Sequence, residues 1–237
     1  MAIETLVPGV LTVCTYGGFA PVAYKDEHRK LVGKDLDYLS KFAENMGLSI
    51  EFVEAEFDGI WRLPGEGKCD VAAAGIGQLR GREVGPAQWT DYYYQVHRSL
   101  LIRKEDASKF ATPDKVPETV DLVVTRNSAA DLDAKERYPH KPRIAYVDQF
   151  PAKPNPQARV VELLLAGNQG DPHVDALGEG DICNKYFKKL HDDKLVLADV
   201  HLYKGHPEFY RFVVSNASVL LVDLNVFIAE NKYDDEL

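Results

Sequence analysis

Residues 69–94 read CDVAAAGIGQLRGREVGPAQWTDYYY. The stretch opens on small and β-branched apolar residues, Val71 to Ala74, which predict a strand buried on both faces. A loop carrying Gly75, Gly77, Gly81 and Gly85 follows, then an aromatic block of Trp89 and Tyr92 to Tyr94. A small-residue strand that feeds glycines lets a ligand lie against backbone N–H groups. Open α/β sheets bind small molecules at the carboxyl ends of their strands. An arginine placed there offers a carboxylate a two-pronged match. Arg82 is therefore the expected anchor for the acid group of a ligand, with Arg80 competing for the same role. The plainer alternative is a surface arginine paired with Glu83 or Asp91, worth on the order of 0–1 kcal/mol. Gly75-Ile76-Gly77 with Gly81 is not a dinucleotide fingerprint. Its third glycine comes one place late, and it follows the third strand rather than the first.

On the N-terminal side, Leu11 to Thr15 predicts a first buried strand, and Tyr16 to Pro21 a loop. Val22–Tyr24 and Leu31–Gly33 read as a hairpin around a polar turn. Asp35 is the expected N-cap of a helix whose apolar residues Leu36, Leu39, Phe42, Ala43 and Met46 recur at helical spacing. Gly47 stops it, and Leu48 to Phe52 alternates as a second strand. Asp58 opens a short turn with Ile60, Trp61 and Leu63.

On the C-terminal side, Ser99–Arg103 predicts a strand leaving this unit, and Lys104–Glu118 a polar boundary. A second strand and helix series then begins. It runs Val120–Thr125, a helix from Ala129 capped by Ser128, Arg143–Val147, an irregular stretch over Phe150–Pro156, and a helix Val160–Ala166. Val174–Leu177, a helix from Asp181 to Leu190 and Leu195–Val200 complete it. Phe209–Val214 and a helix Ser218–Glu230 return to the first unit. Alternating strands and helices imply two α/β units with mostly parallel sheets. Residues 1–102 and 202–237 form one, and 103–201 form an inserted second. Two chain crossings predict a hinge and a ligand cleft.

Composition narrows the function. The formal net charge of −9 argues against a nucleic-acid partner, because no phosphate-neutralising surface is evident. No apolar run reaches the length of a membrane span, and Ile3 to Val13 lacks the basic start and long apolar core of a signal peptide. Cys14, Cys69 and Cys183 read as three free thiols. Cys14 falls near the end of one strand and Cys69 at the start of its neighbour, too far apart to bridge. The seven histidines form no ligand pattern, and His201 and His206 cannot share a helix face, so no metal is expected. Asn216-Ala217-Ser218 is a formal glycosylation sequon, and the Asp234–Leu237 end is read as a solvated acidic tail.

Six separate motifs share order and spacing with a known family. They are Leu11–Asp26, Leu31–Asp37 (LVGKDLD), Phe57-Asp58-Gly59, Gly67–Val71, Arg82, and Trp89–Tyr94. Together they make the chain resemble the type II periplasmic solute-binding proteins, most closely the amino-acid-binding family-3 branch. The resemblance implies a two-lobed fold with the ligand cleft between lobes. It implies that Arg82 takes the ligand α-carboxylate and that Phe19 and Phe57 sandwich the ligand. The family's hydroxyl donors fall on Gly75 and Gly77, leaving backbone N–H groups, and a threonine before the arginine falls on Leu79. An acid that pairs cationic side chains falls on Tyr16, which argues against lysine or arginine as ligand. In the second lobe Ser128 stands where a threonine binds ligand, and Asp181 or Glu179 where an acid binds the ammonium.

The implied protein is a periplasmic or extracellular monomer without cofactor. It would deliver a small carboxylate or an amino acid to the membrane subunits of an ABC transporter, or to a receptor. Two alternatives stand beside it. One is a cyclohexadienyl dehydratase-like enzyme on the same scaffold, with Glu179 as its acid; against it, Asn184 falls where that chemistry wants an acid. The other is a sensor or orphan protein with an altered pocket.

Overall fold

The computed structural model describes residues 4–111, 116–138, 143–150, 155–199, 206–215 and 218–233. Asn216 and Ala217 of the sequon, His201 and the acidic tail 234–237 lie outside them. The first strands are β1 (Val10–Thr15), β2 (Gly18–Phe19), β3 (Ala23–Lys25) and β4 (Leu31–Val32). Helix α1 (Lys34–Asn45) follows, with β5 (Ser49–Glu54), β6 (Val71–Gly77) and β7 (Ala87–Val96). Next come β8 (Arg98–Arg103), β9 (Asp121–Val124), α2 (Ala129–Arg137) and β10 (Arg143–Tyr146). Then α3 (Pro156–Ala166), β11 (Ala176–Gly180), α4 (Asp181–Leu190) and β12 (Leu195–Asp199) lead to β13 (Glu208–Ser215) and α5 (Ser218–Glu230).

Among the described residues two compact units result, one of the chain up to Gln95 together with the part from Phe209 on, the other within Val96–Glu208. The crossings of the sequence reading fall at 102/103 and 201/202; the units part at Gln95/Val96 and Glu208/Phe209.

The first unit is a five-stranded sheet in the order β5-β1-β6-β13-β7. β1 runs parallel to both β5 and β6, and β13 runs antiparallel to β6. The near-continuous apolar runs of β1 and β6 suit strands covered on both faces. Their residues Leu11, Val13, Val71, Ala72 and Ile76 are fully buried, together with Leu39 and Phe42 of α1. A small second sheet of β2, β3 and β4 includes the expected hairpin and adds Gly18–Phe19 as its third strand.

Three local expectations change here. The N-cap of α1 is Gly33, with no side-chain cap; Asp35 lies inside the first turn and turns its carboxylate to the core. Cys14 and Cys69 form a disulfide, with Cα atoms 5.8 Å apart, so only Cys183 is a free cysteine. Cys69 lies outside β6, which begins at Val71, so the parallel-strand spacing does not set its distance from Cys14. The neighbouring Asp70 is tied to β1 by accepting from both the N–H and the hydroxyl of Thr12.

The second unit is a five-stranded sheet in the order β10-β9-β11-β8-β12. β9 is parallel to β10 and β11, and β8 is antiparallel to β11 and β12. Leu100, Ile102, Leu122, Val124 and Ala176 pack with Phe110 in its core. Helix α3 starts at Pro156, within the stretch expected to be irregular. Proline is tolerated at the first helical position, and Asn155 caps it by accepting from the N–H groups of Gln157 and Ala158. Strand β11 ends at Gly180 and α4 begins at once, with Gly180 rather than Asp181 as its N-cap.

The Gly167–His173 segment, unassigned by sequence, is held from both sides. His173 bonds the Gly167 carbonyl and Asp175, each at 3.1 Å. Buried Arg103 donates to the carbonyls of Leu164 and Val174 and to Asp106 and Asp175. Asp121, His173 and Asp175 place ligand atoms within 4.8 Å of one another. Arg143 pairs with Asp121 and Arg103 with Asp175, which explains the cluster as an ion-pair network.

Candidate functional site

The expected ligand-binding residues of the first unit gather where β6 ends. Arg82 is 6% exposed, whereas Arg80 is exposed, so the two candidates separate by burial. One Arg82 Nη1–H donates to the Gly77 carbonyl at 2.8 Å. The guanidinium lies over two rings, 4.7 Å from the centre of Trp61 and 5.5 Å from that of Phe57. Aromatic faces attract a guanidinium and fix its plane. The sequence places Trp61 four residues after Phe57 on a short turn, and that turn brings both rings beneath Arg82.

Phe57 also meets the ring of Tyr16 edge-on at 5.8 Å. Phe19 packs edge-on against Tyr210 at 6.3 Å. Gly75 has a left-handed φ of +61°, and a Cβ there would meet Phe19 Cε1 at 2.8 Å. Glycine is therefore required by backbone and by space alike. Its N–H, expected to face a ligand, instead donates to Asp35 Oδ2 at 2.8 Å.

Asp35 is the residue that sequence reasoning assigned to the wrong task. It is fully buried and accepts from Gly75 N–H, from Tyr93 at 2.8 Å and from Tyr233 at 2.7 Å. Burial dominates these three bonds and pushes its carboxyl up to about 6 from 3.8. The signal was present in the sequence: Asp35 shares a helical face with Leu36, Tyr38, Leu39 and Phe42, the apolar stripe of α1.

A stability test follows. An acid with a raised folded-state pKa adds stability that is fully present below about 3.8 and is lost as pH rises through about 6. Between pH 7 and pH 4 the Asp35 contribution should rise by roughly 2.4 kcal/mol. Urea denaturation of wild type and Asp35→Asn across that range isolates it. Equal pH slopes in the two proteins would remove the basis of this assignment.

The second-unit residues are engaged among themselves. Ser128 caps α2, accepting from the Asp131 N–H at 3.2 Å. Asp181 accepts from the His97 N–H at 2.9 Å and from Lys185 at 2.6 Å. Glu179 is 3% exposed and accepts from the Thr125 N–H and hydroxyl at 2.9 and 2.5 Å. Burial raises Glu179 above the usual carboxylate range. Asn184 is buried and donates to Ser99 and to the Leu177 carbonyl.

A family model described as bacterial extracellular solute-binding proteins, family 3, matches residues 11–237. The chain belongs to that family. The chain is 32% identical over 107 residues to the probable ABC transporter extracellular-binding protein YckB of Bacillus subtilis (strain 168), covering 44% of this chain and 37% of that protein. It thus spans little more than a third of the length of that curated relative.

Two solved structures share the fold of this family-3 chain. A putative binding component of an ABC transporter from Wolinella succinogenes, complexed with lysine, matches with a TM-score of 0.77 at 22% identity, covering 94% of this chain and 90% of that one. The ancestral amino acid-binding protein AncCDT-1, described as a precursor of cyclohexadienyl dehydratase, matches with a TM-score of 0.76 at 24% identity, covering 94% and 89%. Among the described residues, no helix is long and apolar enough to cross a membrane.

Proposed function

We propose that this family-3 protein is an extracytoplasmic binding protein for a small carboxylate, an amino acid, delivered to the membrane subunits of an ABC transporter. Arg82 carries the reading. It is a buried guanidinium at a strand end, and the Gly77 carbonyl and the faces of Trp61 and Phe57 are among the groups that steady it. That arrangement suits recognition of a carboxylate. Phe19 and Phe57 supply apolar walls, and the Tyr16 position favours a ligand without a cationic side chain. The acid group outweighs the amine here, because Glu179 and Asp181 already have donors. A disulfide in the first unit suits the oxidising periplasm or cell exterior. The protein acts as a monomer, without cofactor or metal.

The test is a thermal-shift screen of the twenty amino acids, the matching keto acids, and small di- and tricarboxylates. A ligand that binds only the folded state raises the unfolding temperature by mass action. One clear hit names the ligand, and keto acids that match their amino acids show that the amine is dispensable. Silence across the panel would set this reading aside.

A dehydratase is the second reading, supported by the burial that raises Glu179 toward the protonated form a general acid requires. Phenylpyruvate formed from prephenate, and abolished in Glu179→Gln, would establish it. No product with the purified protein would dismiss it.

A further inference from the structure

Strand β6 loses both neighbours just before it reaches the site. Its pairing with β1 ends at Thr15 opposite Ala73. Its pairing with β13 jumps from Val213 opposite Ala72 to Arg211 opposite Ile76. Ala73, Ala74 and Gly75 thus face the single residue Phe212, whose own N–H turns to the Thr90 hydroxyl at 3.0 Å. A bulge of this kind leaves backbone donors out of the ladder and re-aims the residues beyond it. Shut away from water, such a donor must find another acceptor. Gly75 finds Asp35. Two residues further on, the Gly77 carbonyl holds Arg82.

We propose that Asp35, braced by the hydroxyls of Tyr93 and Tyr233, is a positioning residue for ligand binding. It fixes the bulged end of β6 at Gly75, and through Gly77 it fixes the guanidinium of Arg82. The consequence for affinity rests on the carboxylate-binding reading of Arg82; the effect on Arg82 itself does not.

The chemistry of the three donors favours this assignment. The Gly75 N–H can only donate, so it needs a permanent acceptor, and a carboxylate oxygen is one in either protonation state. The two hydroxyls can rotate, so they adapt to that carboxylate rather than dictate its place. The two tyrosines that donate to Asp35, Tyr93 on β7 and Tyr233 beyond α5, pack ring to ring with each other, both with Tyr38 on α1, and Tyr93 also with Tyr210 on β13. Tyr233 is itself located by Tyr38, whose hydroxyl donates to the Asn231 carbonyl at 2.8 Å and whose ring lies 5.6 Å from that of Tyr233. The C-terminal segment of the described chain is in this way wired to the ligand-facing end of β6.

Two readouts test this on the full chain. The first is the Gly75 amide and the Arg82 Nε–H resonances of the unliganded ¹⁵N-labelled protein, in wild type, Asp35→Asn, Asp35→Leu and Tyr233→Phe. The second is the apparent affinity for an equimolar mixture of the twenty amino acids by calorimetry. Asp35→Leu should move both resonances and weaken binding about ten-fold or more, the scale of one lost charge-assisted bond. Asp35→Asn keeps a carbonyl oxygen for Gly75 and should stay within about three-fold of wild type. An Arg82 resonance unmoved in folded Asp35→Leu would overturn the proposal. Should Asp35→Leu fail to fold, Tyr233→Phe decides: shifted Gly75 and Arg82 signals support the brace, and unshifted ones overturn it. A wild type that binds nothing from the mixture would sink the carboxylate reading alone, because the resonances still report whether Asp35 sets Arg82.

Discussion

Arg82→Ala abolishes the ligand-induced rise in unfolding temperature while the free protein still folds. Two separate losses are involved, and their sizes differ. Inside the free protein, the partners of Arg82 include the Gly77 carbonyl and the rings of Trp61 and Phe57. The Gly77 bond and the two ring contacts together contribute about 2 kcal/mol, a loss that a protein of this size tolerates. For the ligand, the same change removes a two-pronged charge-assisted pair. Each such bond contributes about 1.5–3 kcal/mol, so affinity should fall roughly 100-fold or more. Arg82→Lys separates charge from geometry. Lysine keeps the cation but lacks the planar fork and the stacking face, so it should recover only part of the affinity. Calorimetric titration of the three proteins with the hit from the screen checks this. Unchanged affinity in Arg82→Ala would move the site away from the end of β6.

The sequence reading fared best where one local rule acted alone. Buried apolar runs placed β1 and β6, and the stripe on α1 placed its helix. The buried place of Arg82 just beyond β6, set apart from exposed Arg80, agrees with the position that the family resemblance gave it; its role toward a ligand is the proposal made above. Three features were not, and each failed for a long-range reason. Asp35 looks like a cap because it precedes an apolar stripe. Its actual partners, Gly75, Tyr93 and Tyr233, lie 40, 58 and 198 residues away. The Gly75 N–H was expected to face a ligand, but the bulge that redirects it arises from the register between β6 and β13, which no local pattern encodes. Trp61 was read only as an apolar residue of the short turn after Asp58, yet its ring lies under the Arg82 guanidinium. The same limit explains Glu179 and Asp181. Both acids sit at the β11–α4 junction as expected, while the bonds of Glu179 to Thr125 and of Asp181 to the His97 N–H depend on how β8 and β9 flank β11; the Asp181–Lys185 pair is local to α4.

The disulfide is the other large effect. Reduction, or the double change Cys14→Ser with Cys69→Ser, opens a link between residues 55 apart in sequence. In the chain-entropy account, a loop of that length stabilises the folded state by about 4 kcal/mol through restriction of the unfolded chain. For a chain of this size that corresponds to a fall in Tm on the order of 10 °C. The fold should survive the loss at 25 °C, because Asp70 independently fastens the start of β6 to β1. Its carboxylate accepts from Thr12 at two atoms and from the Leu6 N–H. Thermal unfolding with and without reductant measures the fall. Thiol titration of the denatured chain verifies the pairing: the oxidised protein should yield one thiol, from Cys183, and the reduced protein three. Three thiols from the oxidised sample would mean that Cys14 and Cys69 are not bridged in solution. The fall in Tm must then vanish as well, because reductant would have no bond to break.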